Sequence, residues 1–334
     1  MPKNGTFDFS DPDDFRDSLR ESGIELLLTV SGNFNARLTL VQLRQLRLLL
    51  GREERPRIAY VSLAPELVFV TFAAKAGRPL IWGGVELRTE EVVFHSQGEQ
   101  LHQRSCGVRH WASISLTPEH LAACGRVLTG NDLVPPLAGQ VLRPSRAALA
   151  RLRQLHAGAC RLAEKKPELL AHPEVVRALE HDLVYALVSC LEGGIRRRDK
   201  APIRRRADIM RQFETVLTAH SDQPLRLQEL CRAIGAPDRT LRLCCTEFLG
   251  MGPIRYSHLQ RLGMVRSELR HASPSTTSVS EIAIRYGFRQ LGRFAVAYRA
   301  LFDEPPSATL WRAPRTAQNA NAQTQHRRSA LGRG

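Results

Sequence analysis

No stretch of this 334-residue chain approaches the roughly 20 consecutive apolar residues that a membrane-spanning helix needs. The opening, MPKNGTFDFSDPDDF, is polar and acidic, unlike a secretory signal, so a cytoplasmic protein without a membrane partner is expected. Cysteine is sparse: seven, an odd number, with no Cys-x-x-Cys pair, which argues for reduced and mostly buried thiols over a disulfide framework. Cys244 and Cys245 are neighbours in sequence, but adjacent helical positions point about 100° apart. Cys245 falls on an apolar face, so buried thiols are expected here and not a redox pair. Also missing are G-x-x-x-x-G-K-[ST], G-x-G-x-x-G and G-x-S-x-G, which leaves no catalytic residue and no cofactor to assign. His95, Glu99, His102 and His110 gather in FHSQGEQLHQRSCGVRH, yet without a His-x-His pair, and no metal is expected.

What the chain has in excess is positive charge. Forty-eight Lys+Arg against 33 Asp+Glu give a net charge of +15, and such a surplus attracts polyanions, either nucleic acid or an anionic membrane surface. Arginine far outnumbers lysine, which suits bidentate contacts to phosphate and guanine. Hydrophobic residues at 43% and charged residues at 24% are ordinary for a globular chain long enough for two cores.

The front of the chain reads as strands. Glu25 to Gly32, Arg57 to Leu63, Leu67 to Ala73, Pro79 to Leu87, Glu91 to Ser96 and His110 to Leu116 are short and β-branched or aromatic. Turns separate them, one at Gly83-Gly84, and this spacing suggests a sandwich or barrel. Leu38 to Leu50 fits either strand or helix. Phe69, Phe72, Trp82, Phe94 and Trp111 would line a ligand cavity in such a barrel or fill its core. After Pro118 the pattern turns helical. Pro144 to Glu164 and Pro173 to Leu191 repeat apolar residues at three and four, and would either pair with a second chain or pack on the β domain. Gly193 to Arg206 has the charge and punctuation of a linker, and TAQNANAQTQHRRSALGRG at the end that of a disordered tail.

Asp208 to Arg312 contains an internal repeat. LQELCRAIGAPDRTLRLCCTEFLG begins at Leu227 and VSEIAIRYGFRQLGRFAVAYRALFD at Val279. Leu230 matches Ile282, Cys231 matches Ala283 and Gly235 matches Gly287. One residue later in register, Leu241 matches Phe294, Cys245 matches Tyr298 and Leu249 matches Phe302. Each copy is a short amphipathic helix, a glycine that can take positive φ, and a second amphipathic helix, which is the pattern of a helix-turn-helix. Small residues at 231 and 283 let the two helices cross closely. Pro253 to His271 between the copies has the length and periodicity of one connecting helix.

This segment resembles the DNA-binding domain of the AraC/XylS family of bacterial transcription regulators. The likeness lies most of all in SVSEIAIRYGFRQLGRFAVAYRALFDEPPSATLWR, through Ser278, Ile282, Ala283, Gly287, Phe288, Phe294, Tyr298, Arg299, Phe302 and Pro306. It implies that the exposed side of each second helix reads bases: Arg239, Thr240, Arg242 and Leu243 in the first copy, Gln290, Leu291, Arg293 and Val296 in the second. Arg suits guanine, Gln adenine, and Leu or Val a thymine methyl. Arg299, Arg285 and Arg255 would hold the DNA backbone. Three positions depart from the family pattern: Leu243 where Arg is frequent, Gly292 where Ser is, and Asp303 where Gly is.

The expected fold is α+β: an N-terminal cupin-like β-barrel or sandwich over residues 1–140 and a helical dimerisation segment over 141–194. A basic linker over 195–206, an all-α domain with two helix-turn-helix units joined by a long helix over 207–314, and a tail over 315–334 follow. The expected function is a ligand-responsive activator of a catabolic operon. Its partners would be double-stranded promoter DNA, RNA polymerase, a small-molecule effector bound at residues the sequence does not single out, and a second copy in a homodimer. Two alternatives stand beside it: an effector-independent regulator whose front half only dimerises, and a cupin-type metalloenzyme with an appended DNA-binding domain.

Overall fold

The computed structural model describes residues 4–29, 34–77, 80–197 and 201–312. The chain opens with β1 (Asn4–Phe9), α1 (Pro12–Arg20), β2 (Ile24–Thr29), β3 (Ala36–Gln42), β4 (Arg47–Glu53), β5 (Arg57–Leu63) and β6 (Val68–Ala73). It continues through β7 (Leu80–Trp82), β8 (Val85–Leu87), β9 (Val92–Phe94), β10 (Gln100–Ser105), β11 (Arg109–Leu116), α2 (Pro118–Thr129) and β12 (Gln140–Arg143). The front part closes with α3 (Arg146–Lys165), α4 (Pro173–Glu192) and β13 (Ile195–Arg196). The ambiguous stretch from Leu38 resolves into β3 and β4, with a tight turn in which Leu43 N donates to Leu46 O at 2.8 Å. The segment β1–α1 was not anticipated. Its helix follows from Asp11, whose carboxylate accepts from Asp13 N at 2.8 Å as an N-cap, and from Pro12 in the first turn.

The strands form two open sheets, and the closed-barrel half of the expectation is corrected. The larger runs β1-β3-β4-β11-β6-β9-β12-β13 and the smaller β2-β5-β10-β7-β8, with no ladder joining their edges among the described residues. Closure would need long staggered strands all round, whereas β7, β8 and β9 have three residues each and β13 two. One core lies between the sheets and holds Leu26, Leu38, Leu49, Val61, Phe69, Trp82, Leu101 and Trp111. The other lies between the larger sheet and α2, α3 and α4, with Val70, Phe72, Phe94, Ile114, Leu152, Cys160, Leu183 and Leu187. The aromatics proposed to line one cavity therefore divide, Phe69, Trp82 and Trp111 between the sheets, Phe72 and Phe94 under the helices. Side chains alternate along a strand, so residues 69 and 72 point to opposite faces.

The stretch expected as a linker is folded where it is described. Arg196 and Ile195 pair with Leu142 and Arg143, the Arg197 backbone donates to Val141 O at 2.8 Å, and its side chain reaches buried Glu91 at 2.9 Å. A helix, α5 (Ala201–Ala219), starts soon after. The charges that suggested a solvated linker are partly consumed by carboxylates of the folded body. The proposed tail lies outside the described residues, and no described helix is long and apolar enough to cross a membrane.

His156 on α3 is wholly inside the second core, where burial pushes its pKa down from 6.5 to about 4, against hydrogen bonds to the backbone at Ser113 and Leu49 that pull it up. The folded protein keeps this imidazole neutral, while the unfolded chain protonates it near 6.5. Its contribution to stability is therefore full above pH 6.5 and is lost as pH falls toward 4. Unfolding free energy measured by urea titration is expected to fall by at most about 1.4 kcal/mol per pH unit from this group between pH 6.5 and 5. His156→Gln should flatten that slope; an unchanged slope would mean that His156 is not held neutral.

Candidate nucleic-acid interface

After α5 come α6 (Leu227–Ile234), α7 (Asp238–Leu249), α8 (Pro253–His271), α9 (Val279–Arg285), α10 (Leu291–Phe302) and α11 (Pro306–Trp311). The anticipated pairs are α6 with α7 and α9 with α10, each followed by a helix that seals its core. In the first unit Met210, Phe213, Leu230, Leu241, Cys244, Cys245, Phe248 and Tyr256 pack together. In the second the corresponding group is Leu262, Val265, Leu269, Ile282, Ala283, Phe294, Tyr298 and Leu310. Helix α8 thus gives its first turns to one core and its later turns to the other. Both neighbouring cysteines, 244 and 245, are buried, and burial raises both thiols above their ordinary range.

Each short helix has a defined start and stop. Ser278 Oγ accepts from Glu281 N at 3.2 Å while Glu281 Oε2 accepts from Ser278 N at 2.8 Å, a complete capping box. Gly287 then turns the chain at φ +76, with Pro224 so close that a Cβ would sit 2.5 Å from its ring. Any side chain there would meet both the backbone strain and the proline. The second unit ends α10 differently: Asp303 takes φ 58 where a glycine would be unstrained, and among the described residues it is the lone non-glycine with positive φ.

The apolar side of each reading helix faces its core, and the proposed site residues lie on the other side. Arg239, Arg242, Leu243, Gln290, Leu291, Arg293, Val296 and Arg299 are exposed, and Thr240 is half-buried. Val296 is 72% exposed and Leu243 44%, apolar surfaces that the fold leaves uncovered. Arg242 pairs with Asp238 one turn back, and Arg285 with Glu268. Gln290 forms the N-cap position of α10, just before the helix that carries Leu291, Arg293, Val296 and Arg299. Arg255 near the start of α8 is exposed. Arg289, exposed in the turn between α9 and α10, is a further basic residue beside α10 that the family pattern does not single out, and its position next to the second helix is the signal that marks it.

The histidines weighed as metal ligands have other partners. His95 Nδ1 lies 2.6 Å from Glu99 and its Nε2 3.2 Å from Thr71 Oγ1, while His102 Nε2 meets Glu214 of α5 at 2.6 Å. No group of three or more His, Cys, Asp or Glu suited to a metal occurs among the described residues. The His102 contact is also where the helical domain docks on the smaller sheet, a relation that sequence reading missed entirely.

The architecture defines a tandem helix-turn-helix DNA-binding domain, and a family model described as a helix-turn-helix domain matches residues 230–312. Over 248 residues the chain is 28% identical to a probable thc operon regulatory protein of Rhodococcus erythropolis, covering 70% of this chain and 73% of that one. It is 35% identical over 86 residues to XylDLEGF operon transcriptional activator 2 of Pseudomonas putida, covering 26% of this chain and 55% of that protein. Among solved structures, the AraC-like transcriptional activator CuxR is similar at 16% identity and a TM-score of 0.41, over 79% of this chain and 96% of that one. The C-terminal domain is of the AraC type, and the relatives it resembles are operon regulators and activators.

Asp303 offers a direct check on the cap of α10. A left-handed non-glycine residue, carrying a negative charge at a helix C-terminus, should cost stability. Asp303→Gly is expected to stabilise the protein by about 0.5–1 kcal/mol in chemical denaturation. A loss of stability would show instead that the aspartate side chain is itself holding the turn.

Proposed function

We propose that this regulator activates transcription of an operon by seating α7 and α10 in successive major-groove segments of double-stranded promoter DNA. The observation that carries the reading is the pair of exposed polar faces, each on the second helix of its own unit and both units packed on α8. Arg239, Arg242 and Arg293 present guanidinium groups suited to guanine O6 and N7, and Gln290 and Thr240 present hydrogen-bonding groups suited to adenine or either strand. Leu243, Leu291 and Val296 offer apolar contact to thymine methyls. Arg299, Arg285 and Arg255 act on phosphates and set register. Activation, with RNA polymerase as the partner it recruits, takes its support from the operon activators among the relatives.

The front domain takes a small-molecule effector, and α3 and α4 pair two copies of the chain. An effector-independent regulator is the second reading, and the division of the five aromatics between two filled cores favours it. A thermal-shift screen with catabolic metabolites separates the two, since a ligand of the folded state raises the midpoint by mass action.

The test of DNA reading is equilibrium binding of the full chain to a duplex selected by the protein from a random pool. Arg293→Ala should cost about 1–3 kcal/mol on that duplex and relax preference at one base position. An equal loss on every sequence would make Arg293 a phosphate contact. Affinity of the unaltered protein should fall steeply with salt as counterions are released; a flat response would contradict the whole reading.

A further inference from the structure

The two helix-turn-helix units have separate cores, joined by α8 and by the contact of Pro224 with Gly287. At 1.5 Å per residue, a helix of this length spans about 28 Å, a long lever for holding two reading helices in fixed relation. The front domain touches each unit with its own cluster of polar and ionisable side chains, most of them buried.

The first cluster lies on the smaller sheet. His102 of β10 meets Glu214 Oε1 at 2.6 Å, and Gln260 Nε2 of α8 donates to Glu214 Oε2 at 2.5 Å. All three side chains are buried, and the His102 ring lies against those of Tyr60, Phe248 and Tyr256. Around them Ile58 of β5 enters the core of the first unit, and Phe248 of α7 lies so close over Gly84 that a Cβ there would be 2.4 Å from its ring.

The second cluster lies on α1 and its cap. Arg266 Nη2 donates to Asp11 Oδ2 at 2.7 Å, and Arg270 donates to Asp11 Oδ1 at 3.0 Å and to Asp14 Oδ1 at 2.5 Å. Asp13 lies 3.4 Å from Arg266 and 3.2 Å from Arg270. Arg266 in turn stacks on Phe302 at 4.8 Å, the last residue of the second reading helix. Both clusters leave the reading faces of α7 and α10 exposed.

Buried ion pairs contribute little net stability over apolar packing, because desolvation offsets the attraction. They tolerate few alternative geometries, however, since a shifted partner leaves a buried charge unpaired. We propose that His102 and the Asp11–Asp13–Asp14 cluster are positioning residues for DNA recognition: the front domain splints the two units across α8 and sets which half-site spacing the chain accepts. The proposal rests on the tandem reading of DNA given above. It adds that residues which never touch DNA determine a property of the operator.

The test measures full-chain binding to the selected duplex and to duplexes with one base pair inserted or deleted between the half-sites. One inserted pair rotates the second half-site by roughly 34° about the axis, and the unaltered protein should lose about tenfold in affinity, as for a lost base contact. Asp11→Asn with Asp14→Asn, and separately Arg270→Gln, should bind the selected duplex within about threefold of the unaltered protein while their spacing penalty shrinks to about threefold or less. Arg270→Lys, which keeps the charge, should retain the steep profile, and His102→Leu should flatten it from the other end. Folded variants, judged by circular dichroism, that keep the full spacing penalty would overturn the splint. Absence of duplex binding by the unaltered protein would instead remove the DNA reading beneath it, and the splint with it.

Discussion

The helical domain depends on one shared element, α8. Tyr256 near its start is fully buried in the first core, while Leu262, Val265 and Leu269 are buried in the second. Neither unit is complete alone, because an isolated pair of short helices such as α6 and α7 cannot bury enough apolar surface to offset its ordering. A helix that belongs to both cores converts two marginal hairpins into one object, and it fixes α7 relative to α10 through packing and not through a tether. Arg261 adds to this: it lies 5.0 Å over Phe288 and donates to Tyr286 O at 3.2 Å, tying the middle of α8 to the turn of the second unit.

The front domain solves a different problem. Its larger sheet is buried on both faces, by the smaller sheet on one side and by α2, α3 and α4 on the other. Strand β6, VFVTFA, is buried at every position, which is why it reads as a continuous apolar run and not as an alternating one. A sheet with both faces covered gains nothing by curling into a barrel. Arg153 of α3 reinforces the helical layer by donating to the carbonyls of Ala73 and Thr89. Helices α3 and α4 thus have one side committed to the sheet, and only their outer sides, including exposed Tyr185, remain for a partner.

What could be read from the sequence was local. The glycines at 235 and 287, and the apolar residues set four apart behind them (Leu241, Cys245 and Leu249; Phe294, Tyr298 and Phe302), are each written within a few residues, and together they place both units. The hairpin at Gly83-Gly84 was legible for the same reason. What escaped was long-range. His102 and Glu214 are 112 residues apart, and Asp11 and Arg266 are 255 apart; nothing near either member signals the other. Acidic residues at the start and arginines in α8 have the look of solvated surface when taken singly, and only the docked domains show that each neutralises the other. The linker was misjudged in the same way, since Arg197 and Arg206 are partnered by Glu91 and Glu247.

That pairing changes the meaning of the net charge of +15. Arg57 is held by buried Glu53, and Arg266 and Arg270 by the aspartates of α1, so these arginines contribute to cohesion and offer little to a polyanion. The part of the surplus left open to solvent is carried by exposed residues such as Arg239, Arg289, Arg293 and Arg299. Arg242 stands between the two groups, engaged with Asp238 but exposed. An exposed pair at this helical spacing is worth about 0.5 kcal/mol or less, whereas a bidentate contact to a base is worth about 1–3 kcal/mol. On the proposed reading the balance favours release of Arg242 to a DNA groove, so its exposed ion pair is compatible with that proposal, while a buried pair of the Arg266 kind would not be.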